Sequence, residues 1–310
     1  MNIVLAGATG FIGQKLVQQL QREEHTLTLL SRHHPGRRES NLPEIGFAHW
    51  DAKTVGDWAK HIDGSDAVIN LAGEPIAAKR WTEAQKERIL ASRLNATGAI
   101  VDAIAKATKK PEVLINASAV GYYGDVKEGD VTESHSAATD FLGTTCARWE
   151  EAARKVEQSG VRVVMIRTGI VLEKTGGALK KLLLPFRLFA GGPLGSGNQW
   201  FPWIHIEDEV GAIVFALSNK SLTGPVNLAA PQSVTMREFC RTLGKTMGRP
   251  SWAPVPAFVL QIALGEMSTM LLGGQKVIPK KLQEAGYRFR FPQLEMALRD
   301  VVKEEGGGRK

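Results

Sequence analysis

The chain has 310 residues, of which 43% are hydrophobic and 23% charged, a composition typical of an ordinary globular protein. It has neither an apolar run of membrane-helix length nor a secretory signal pattern, so we expect a cytoplasmic location and no membrane partner. Cys146 and Cys240 are too few for a disulfide framework or a zinc site, and the net charge of +7 is scattered, which argues against nucleic-acid binding.

Short apolar runs alternate with helical apolar spacing through the first half of the chain. Strands are predicted at residues 2–7, 26–31, 47–51, 66–73, 113–119 and 161–172. Helices are predicted at residues 11–21, 57–62, 82–107 (with a break near Asn95) and 143–158. Because alternating strands and helices form right-handed βαβ units, the pattern predicts an α/β, Rossmann-type, doubly wound, mainly parallel sheet.

The alternation ends near residue 174, where a second region of different composition begins. Residues 191–199 form a glycine-rich loop, and prolines 250, 254 and 256 precede a helical C-terminal piece. We expect a cofactor-binding domain at residues 1–173, to which residues 203–230 return. Residues 174–202 and 231–310 would form a smaller C-terminal lobe over the carboxyl ends of the strands.

A glycine-rich motif lies between the first predicted strand and the first helix. Gly7 permits a tight turn, Gly10 allows the backbone to approach a pyrophosphate, and Gly13 permits close packing of helix on sheet. The helix N-terminus would then present free N–H groups to the phosphates. The predicted cofactor contacts in this motif are Gly7, Thr9, Gly10, Phe11, Ile12 and Gly13.

The end of the second strand distinguishes the two nicotinamide cofactors. An acidic residue there would bind the ribose hydroxyls of NAD, but this chain has Ser31 and Arg32, followed by His33, Arg37 and Arg38. A hydroxyl and a guanidinium suit a 2′-phosphate. The sequence therefore predicts NADP in preference to NAD.

Three further positions are candidate cofactor contacts. Asp51 closes the third strand, where it could hold the adenine amino group or serve as a helix N-cap. Leu71, Ala72 and Gly73 close the fourth strand and would let the backbone pass beside the cofactor ribose. Arg93 could reach a phosphate or the ribose, or could lie on a solvated helix face.

These motifs together resemble the extended short-chain dehydrogenase/reductase superfamily, which includes epimerases and dehydratases. The resemblance rests on GATGFIG (7–13), NLAG (70–73), NATG (95–98), SAVGYYG (118–124) and WIHIED (203–208). A closer resemblance is to an epimerase-family group that includes a human short-chain-reductase-like protein and bacterial relatives. It rests on GEPIAAKRW (73–81), RTGIVL (167–172), GGPLGSGNQWFPWIHIED (191–208) and LLGGQKVIPKKLQEAGYRF (271–289). The resemblance implies a Rossmann fold and a nicotinamide cofactor.

The superfamily's acid/base pair is not found at its expected place. Its catalysis uses Tyr-x-x-x-Lys, in which the lysine lowers the tyrosine pKa. Aligning the helix on Glu150 places Leu142 and Cys146 at those two positions, and the usual serine or threonine falls at Ala119, next to Ser118. The fold and cofactor carry over from the resemblance, but the standard proton donor does not.

Several residues could replace that pair. Tyr122 and Tyr123 follow a strand at the edge where ligands bind, so that one could donate a proton while Ser118 orients the substrate. Alternatively, they pack and form hydrogen bonds. His205 could also transfer a proton, or could be a structural histidine bonded to Glu207 or Asp208.

Other polar and aromatic residues are expected at the same edge. Arg167 and Thr168 end a strand beside the expected nicotinamide and would contact cofactor or substrate. Trp200 and Trp203 could wall a substrate pocket, or could anchor the glycine-rich loop in the core.

Two functions are compatible with these features. The first is an NADP-dependent oxidoreductase or epimerase that acts on an unidentified small molecule, as a monomer or homodimer, with a non-standard proton donor. The second is a catalytically weak NADP-binding sensor or regulator; the resemblance implies a possible link to cell division. The retained pocket loop favours the enzyme, and the missing Tyr-x-x-x-Lys pair favours the regulator.

Overall fold

The computed structural model describes residues 1–32 and 45–302. Its strands are β1 (Asn2–Ala6), β2 (Thr26–Ser31), β3 (Ile45–His49), β4 (Ala67–Asn70), β5 (Val113–Ala119), β6 (Asp130–Val131), β7 (Arg162–Thr168), β8 (Ile170–Leu172), β9 (Trp203–His205), β10 (Gly224–Leu228) and β11 (Lys276–Val277). Its α-helices are α1 (Phe11–Arg22), α2 (Glu83–Lys106), α3 (Phe141–Arg154), α4 (Gly177–Arg187), α5 (Ile206–Ser218), α6 (Met236–Met247), α7 (Ala257–Leu264), α8 (Thr269–Leu272), α9 (Lys280–Glu284) and α10 (Leu294–Val302). Short 3₁₀ helices lie at Asp57–His61, Val120–Tyr123, Lys155–Ser159 and Gly265–Ser268.

Seven strands form one parallel sheet in the order β10-β7-β5-β4-β1-β2-β3. The carboxyl ends of all seven strands therefore lie along one edge. The order reverses between β1 and β4, where Ile3 pairs with Leu27 of β2 on one side and with Ala67 on the other. A crevice for ligands opens at this kind of reversal. The predicted Rossmann-type fold is confirmed.

Helices cover both faces of the sheet because side chains alternate along each strand. Leu5 and Ile115 belong to the core on the α1 and α5 side, whereas Val4 and Leu114 belong to the core on the α2 and α3 side. The strands are thus apolar on both faces, as buried parallel strands are. At the carboxyl ends of β5 and β7, polar residues replace this apolar pattern.

A third core lies among the C-terminal elements. It joins residues of α4, α6 and α10, including Phe186, Phe239 and Leu298, to Trp203 of β9. Two small parallel sheets, β8-β9 and β6-β11, connect this region with the large sheet. The domain boundaries expected from the sequence stay a prediction.

Two local predictions were wrong, and one of the two alternatives given for Asp51 is not seen. The strand predicted at residues 161–172 divides at Gly169, where a Cβ would lie 2.7 Å from the carbonyl oxygen of Pro202. Helix α2 runs without a break through Asn95, because this side chain is exposed and its amide need not compete with the backbone. The N-cap of the 3₁₀ helix Asp57–His61 is Gly56 rather than Asp51.

In the part of the chain that the structure describes, no helix is long and apolar enough to span a bilayer. The predictions made for His33, Arg37 and Arg38 lie outside the described residues.

Candidate cofactor site and its buried polar network

The glycine motif forms the loop between β1 and α1. Gly7 has a φ of +85°, and a Cβ on it would lie 2.6 Å from the backbone carbonyl carbon of Leu71. A Cβ on Gly13 would lie 2.2 Å from the carbonyl oxygen of Gly7. Both positions therefore require glycine for close backbone packing, which brings the ends of β1 and β4 together.

The N-terminus of α1 has the properties of an anion site. Its N-cap is Gly10, which provides no side-chain hydrogen bond to the first turn, and that turn contains no acidic residue. Thr9 and Gly10 are exposed, whereas Phe11 and Ile12 are half-buried. The free N–H groups and positive end of this 12-residue helix suit a phosphate group.

Two other loops border the β1–α1 loop. The ring of Phe11 packs against Gly176, where a Cβ would lie 2.5 Å from Cδ2 of the ring. Half-buried Leu71 and Ala72 and exposed Gly73 follow β4 on the other side of the reversal. The structure thus brings the predicted contacts of the first and fourth strands into one crevice.

Ser31 and Arg32 lie beside this crevice at the end of β2. Ser31 pairs with His49 of β3, and its carbonyl oxygen accepts a hydrogen bond of 3.1 Å from the Trp50 N–H. Arg32 is exposed. An exposed guanidinium at this position is compatible with an anionic group on the cofactor ribose.

Asp51 closes a turn. Its Oδ1 accepts hydrogen bonds of 2.8 Å from the backbone N–H groups of Lys53 and Thr54, and Oδ2 accepts one of 2.8 Å from the Thr54 hydroxyl. The hydrogen bonds from Thr54 and Lys53 lower the pKa of Asp51 to about 2. The carboxylate is therefore ionised and exposed at the end of β3, and contact with adenine stays a prediction.

Arg93 does not lie on a solvated helix face. Its Nη1 donates hydrogen bonds to the carbonyl oxygens of Glu74 at 3.1 Å and Ile89 at 2.9 Å, and its guanidinium lies 5.0 Å from the Trp149 ring centroid. Burial lowers the pKa of Arg93. A Cβ on Gly73 would be 3.4 Å from Arg93 Cζ, so the guanidinium borders the crevice after β4.

The two positions aligned with the superfamily's tyrosine and lysine are apolar or buried. Leu142 packs against Gly121, on which a Cβ would lie 3.3 Å from Leu142 Cβ. Cys146 is 5% exposed, and burial raises its pKa to about 12. Neither side chain can exchange a proton near neutral pH.

Ser118 belongs to a buried ion-pair network. Its hydroxyl donates a hydrogen bond of 2.7 Å to Glu150 Oε1. Arg167 Nε donates to the same oxygen and Nη2 to Oε2, each at 2.8 Å. Although burial lowers the pKa of Arg167, the hydrogen bonds and charge of Glu150 raise it by more, so that it lies above its ordinary value.

Arg167 is 1% exposed, which places it under the crevice floor and not in contact with a ligand. Its Nη1 also donates to the hydroxyl of Tyr123 at 2.9 Å and to the carbonyl oxygen of Glu133 at 3.2 Å. The expectation that Arg167 contacts the cofactor is therefore not supported. Because side chains alternate along a strand, Arg167 and Thr168 point to opposite faces of β7 and do not share one site.

The two adjacent tyrosines have different environments. Tyr123 is 3% exposed; its hydroxyl donates a hydrogen bond of 2.6 Å to Asn227 Oδ1 and accepts one from Arg167, while burial raises its pKa to about 12. Tyr122 is half-buried, with the Arg167 guanidinium 3.5 Å from its ring centroid. Within residues 1–32 and 45–302, no hydrogen bond of the Tyr122 hydroxyl is found. Of the two, Tyr122 is the one whose hydroxyl can meet a ligand.

His205 caps helix α5. Its Nδ1 accepts a hydrogen bond of 3.2 Å from the Glu207 N–H, and its ring lies 3.8 Å from that of Phe291. Nε2 lies 3.3 Å from Asp300 Oδ2. Because burial lowers its pKa to about 4, the imidazole is neutral at physiological pH. The geometry favours the structural alternative for His205.

The two tryptophans also anchor loops. Trp203 is 1% exposed in the C-terminal core, and its indole N–H donates a hydrogen bond of 2.9 Å to the carbonyl oxygen of Gln232. The Trp200 indole N–H donates a hydrogen bond of 3.1 Å to the carbonyl oxygen of Lys127. Trp203 therefore cannot wall a pocket.

Sequence reasoning missed a buried amide cluster beneath the crevice. Asn70 Nδ2 donates to Asn116 Oδ1 at 2.7 Å and to Thr97 Oγ1 at 3.0 Å, while the Trp149 indole N–H donates to Thr97 Oγ1 at 2.8 Å. Asn70 Oδ1 accepts a hydrogen bond of 3.1 Å from the Ala72 N–H, and this bond fixes the turn after β4. Asparagines within the apolar strands β4 and β5 were the available signal.

Glu209 is the other missed residue. It is fully buried on α5, where Oε1 accepts a hydrogen bond of 2.7 Å from the Thr168 hydroxyl and Oε2 is without a hydrogen-bond partner among the described residues. Burial raises the pKa of Glu209 to about 8, so the carboxyl is largely protonated at neutral pH. Its sequence context, an acidic first turn, is typical of solvated residues and gave no sign of burial.

The chain matches two family models. Residues 3–229 match the NAD dependent epimerase/dehydratase family, and residues 255–301 match a domain of unknown function, DUF1731. The first covers the large sheet, and the second covers α7 to α10.

Curated relatives and a solved structure match nearly the whole chain. The epimerase family protein SDR39U1 homolog, chloroplastic, of Arabidopsis thaliana is 42% identical over 98% of this chain and 87% of that protein. The epimerase family protein YfhF of Bacillus subtilis (strain 168) is 40% identical over 98% of this chain and 99% of that protein. The crystal structure of human epimerase family protein SDR39U1 (isoform 2) with NADPH is 38% identical to this chain, with a TM-score of 0.88. The match covers 98% of this chain and 100% of that chain.

Proposed function

Because the chain belongs to the NAD dependent epimerase/dehydratase family, we propose that it binds NADP and acts as an oxidoreductase or epimerase on a small molecule. The observation that carries the proposal is the glycine loop before α1, whose helix N-terminus has neither an acidic first turn nor a side-chain cap. When bound, NADP would supply or accept the hydride. The similar human structure contains NADPH, which supports the same cofactor here.

The preference for NADP rests on the end of β2. Exposed Arg32 and half-buried Ser31 suit the 2′-phosphate, since a guanidinium forms charge-assisted hydrogen bonds with phosphate oxygens. Thr9 to Gly13 would hold the pyrophosphate, Leu71 to Gly73 would lie beside the ribose, and ionised Asp51 would accept from the adenine amino group. Arg93, which borders Gly73, would approach the second ribose or a phosphate.

Calorimetry of purified protein with NADPH and NADH tests the cofactor. We expect NADPH to bind and Arg32→Ala to weaken it by about tenfold to a hundredfold, the loss of one or two charge-assisted hydrogen bonds. Arg22→Ala, an exposed arginine at the far end of α1, is the matched control and should change nothing. Equal affinity of the wild type for NADPH and NADH, unchanged in Arg32→Ala, would refute the preference.

For the proton, we propose Tyr122. Its ring is held by the Arg167 guanidinium at 3.5 Å, and this half-buried residue follows the carboxyl end of β5. Ser118 would act indirectly: its hydroxyl donates to Glu150, and Glu150 holds Arg167 under the tyrosine ring. The reaction would transfer a hydride between the cofactor and a carbonyl or carbinol carbon, with the oxygen's proton coming from or going to Tyr122.

A panel of carbonyl compounds with NADPH, followed by loss of reduced-cofactor absorbance, tests this step. We expect at least one to be reduced, and Tyr122→Phe to lower kcat by about a hundredfold or more while NADPH binding persists. A Tyr123→Phe variant that lost as much activity without losing stability would overturn the assignment.

One observation favours a second function. Leu142 and buried Cys146, at the two positions where the superfamily's pair would be, cannot transfer protons. We therefore retain an NADP-binding sensor or regulator, with the link to cell division as its most specific form. Tight NADPH binding with no reduction across the carbonyl panel would favour this alternative.

A further inference from the structure

The C-terminal region contains two long segments without a single carboxylate. Residues 174–206 and 239–265 include no Asp or Glu. Their cationic residues are Lys174, Lys180, Lys181, Arg187, Arg241, Lys245 and Arg249. Such local charge segregation produces a positive potential over the surface that these segments form.

The same two segments carry most of the exposed large apolar side chains. Ten such side chains are exposed among the described residues, and seven of them lie in these segments. They are Leu184, Leu188, Phe189, Trp252, Phe258, Val259 and Ile262. Leu188, Trp252 and Ile262 are 69%, 69% and 73% exposed, which is unusual for residues of their size.

Backbone contacts bring the two segments side by side. Gly191 pairs with Ser251 and Leu194 with Val255. The Trp252 indole N–H donates a hydrogen bond of 3.0 Å to the carbonyl oxygen of Phe189. Since the residue 188–189 turn directly follows α4, this contact joins the exposed end of α4 to Trp252 in one apolar surface, which we call the α4–Trp252 surface (Leu184, Leu188, Phe189 and Trp252).

Cationic groups lie beside the α4–Trp252 surface. The Arg249 guanidinium lies 4.2 Å from the Phe189 ring centroid. Lys180 and Lys181 are exposed on α4, one turn before Leu184. Lys245 is not counted among these cationic groups, because its charge is paired with that of Glu295 at 3.5 Å.

Helix α7 extends this apolar character. It begins directly after Pro256, consists of AFVLQIAL and has no fully buried residue, so much of its apolar surface faces solvent. Phe258 and Ile262 are one turn apart on its surface. The helix is too short to span a bilayer.

The charge distribution decides between two kinds of occupant. A second copy of this chain would bring these cationic segments, which lack carboxylates of their own, against each other, which is electrostatically unfavourable in a protein of net charge +7. An anionic bilayer complements both properties: aromatic and aliphatic side chains enter the interface while lysine and arginine meet the headgroups. Such peripheral binding needs no spanning helix, and none is found among the described residues.

We propose that the α4–Trp252 surface adsorbs to a bilayer containing anionic lipid. The full-length protein would be sedimented with vesicles of phosphatidylcholine alone or mixed with phosphatidylserine. We expect binding only to the mixed vesicles, and weaker binding at higher salt because the attraction is screened. Replacing both Leu188 and Trp252 by Ser should weaken binding by about tenfold or more, since two apolar side chains no longer enter the interface.

A charge-reversal pair isolates the electrostatic contribution. Lys180→Glu with Lys181→Glu should weaken binding to the mixed vesicles by about tenfold or more. Lys109→Glu with Lys110→Glu, another exposed adjacent pair, is the matched control and should bind as the wild type does. Met296→Ser removes an exposed apolar side chain from α10 and is the control for Leu188 and Trp252.

Unchanged NADPH affinity in each variant would show that the fold and the cofactor crevice are intact. Failure of the wild type to sediment with the mixed vesicles would overturn the proposal. So would a dimer, measured without lipid, that the Leu188 and Trp252 substitutions dissociate, because the surface would then be a self-association site.

Discussion

Glu150 receives two parallel hydrogen bonds from Arg167, Nε to Oε1 and Nη2 to Oε2, both 2.8 Å long. Their side chains are 3% and 2% exposed, so the pair links α3 to β7 in the protein interior. Arg167 in turn reaches Tyr123 and supports the ring of Tyr122. The floor of the candidate crevice is thus held by an ion pair whose members lie 17 residues apart.

Neutralising Glu150 should strongly destabilise the fold. Glu150→Gln leaves the buried Arg167 guanidinium without a counter-charge, which typically costs about 3–5 kcal/mol. The free energy of unfolding in urea would be compared with that of Glu151→Gln, an exposed neighbour expected to change little. Similar unfolding midpoints for the two variants would contradict the ion pair's structural importance.

The adjacent tyrosines should differ in their effect on stability. Tyr123→Phe leaves Asn227 Oδ1 and Arg167 each short of a buried hydrogen bond, at a cost of about 1–3 kcal/mol. Tyr122→Phe removes a hydroxyl that makes no such bond in the described structure, so the change should be below about 0.5 kcal/mol. Urea unfolding of both variants distinguishes them, and the reverse order would refute this description.

Glu209 should make the stability fall as the pH rises from about 4.5 to about 8. Its folded pKa of about 8 lies above the ordinary 4.5, so the folded state holds a proton that the unfolded state releases. Stability from this group is complete below pH 4.5 and is lost as the pH rises through about 8. The full loss amounts to roughly 5 kcal/mol at about 1.4 kcal/mol per pKa unit.

Glu209→Gln should remove this dependence. Unfolding free energies would be measured from mildly acidic to mildly alkaline pH for the wild type, Glu209→Gln and the exposed control Glu128→Gln. We expect the wild type and control to lose stability in parallel, and Glu209→Gln to lose less. Parallel curves for all three proteins would show that Glu209 does not hold its proton.

His205 should behave as a helix cap. His205→Ala removes the acceptor for the Glu207 N–H, whereas His205→Asn can replace it, so the alanine variant should be less stable by about 1 kcal/mol than the asparagine variant. Thermal unfolding measures the difference. Because its folded pKa of about 4 lies below 6.5, the wild-type contribution is present above pH 6.5 and is lost as the pH falls through about 4.

Carbonyl reduction by the His205 variants separates this role from catalysis. A cap changes stability without altering kcat at a temperature where the variant is folded. A large loss of kcat in folded His205→Asn would restore histidine as a proton donor.

The sequence by itself determined the fold and the position of the cofactor crevice. Apolar runs alternating with helical spacing are local patterns, and Gly7 and Gly13 are required by backbone packing within one βαβ unit. The right-handed crossover rule then places the strand ends at one edge. These inferences need only the chemistry of neighbouring residues.

Tertiary structure decided which polar residues are free to act. Tyr122 and Tyr123 are adjacent and chemically identical, yet Asn227, 104 residues away, engages only Tyr123. Burial of Glu209 and exposure of α7 depend on which elements pack over them, so a charged residue became neutral and an apolar helix stayed in solvent. Local sequence carries no record of such distant partners, because desolvation and hydrogen bonding are set by the assembled fold.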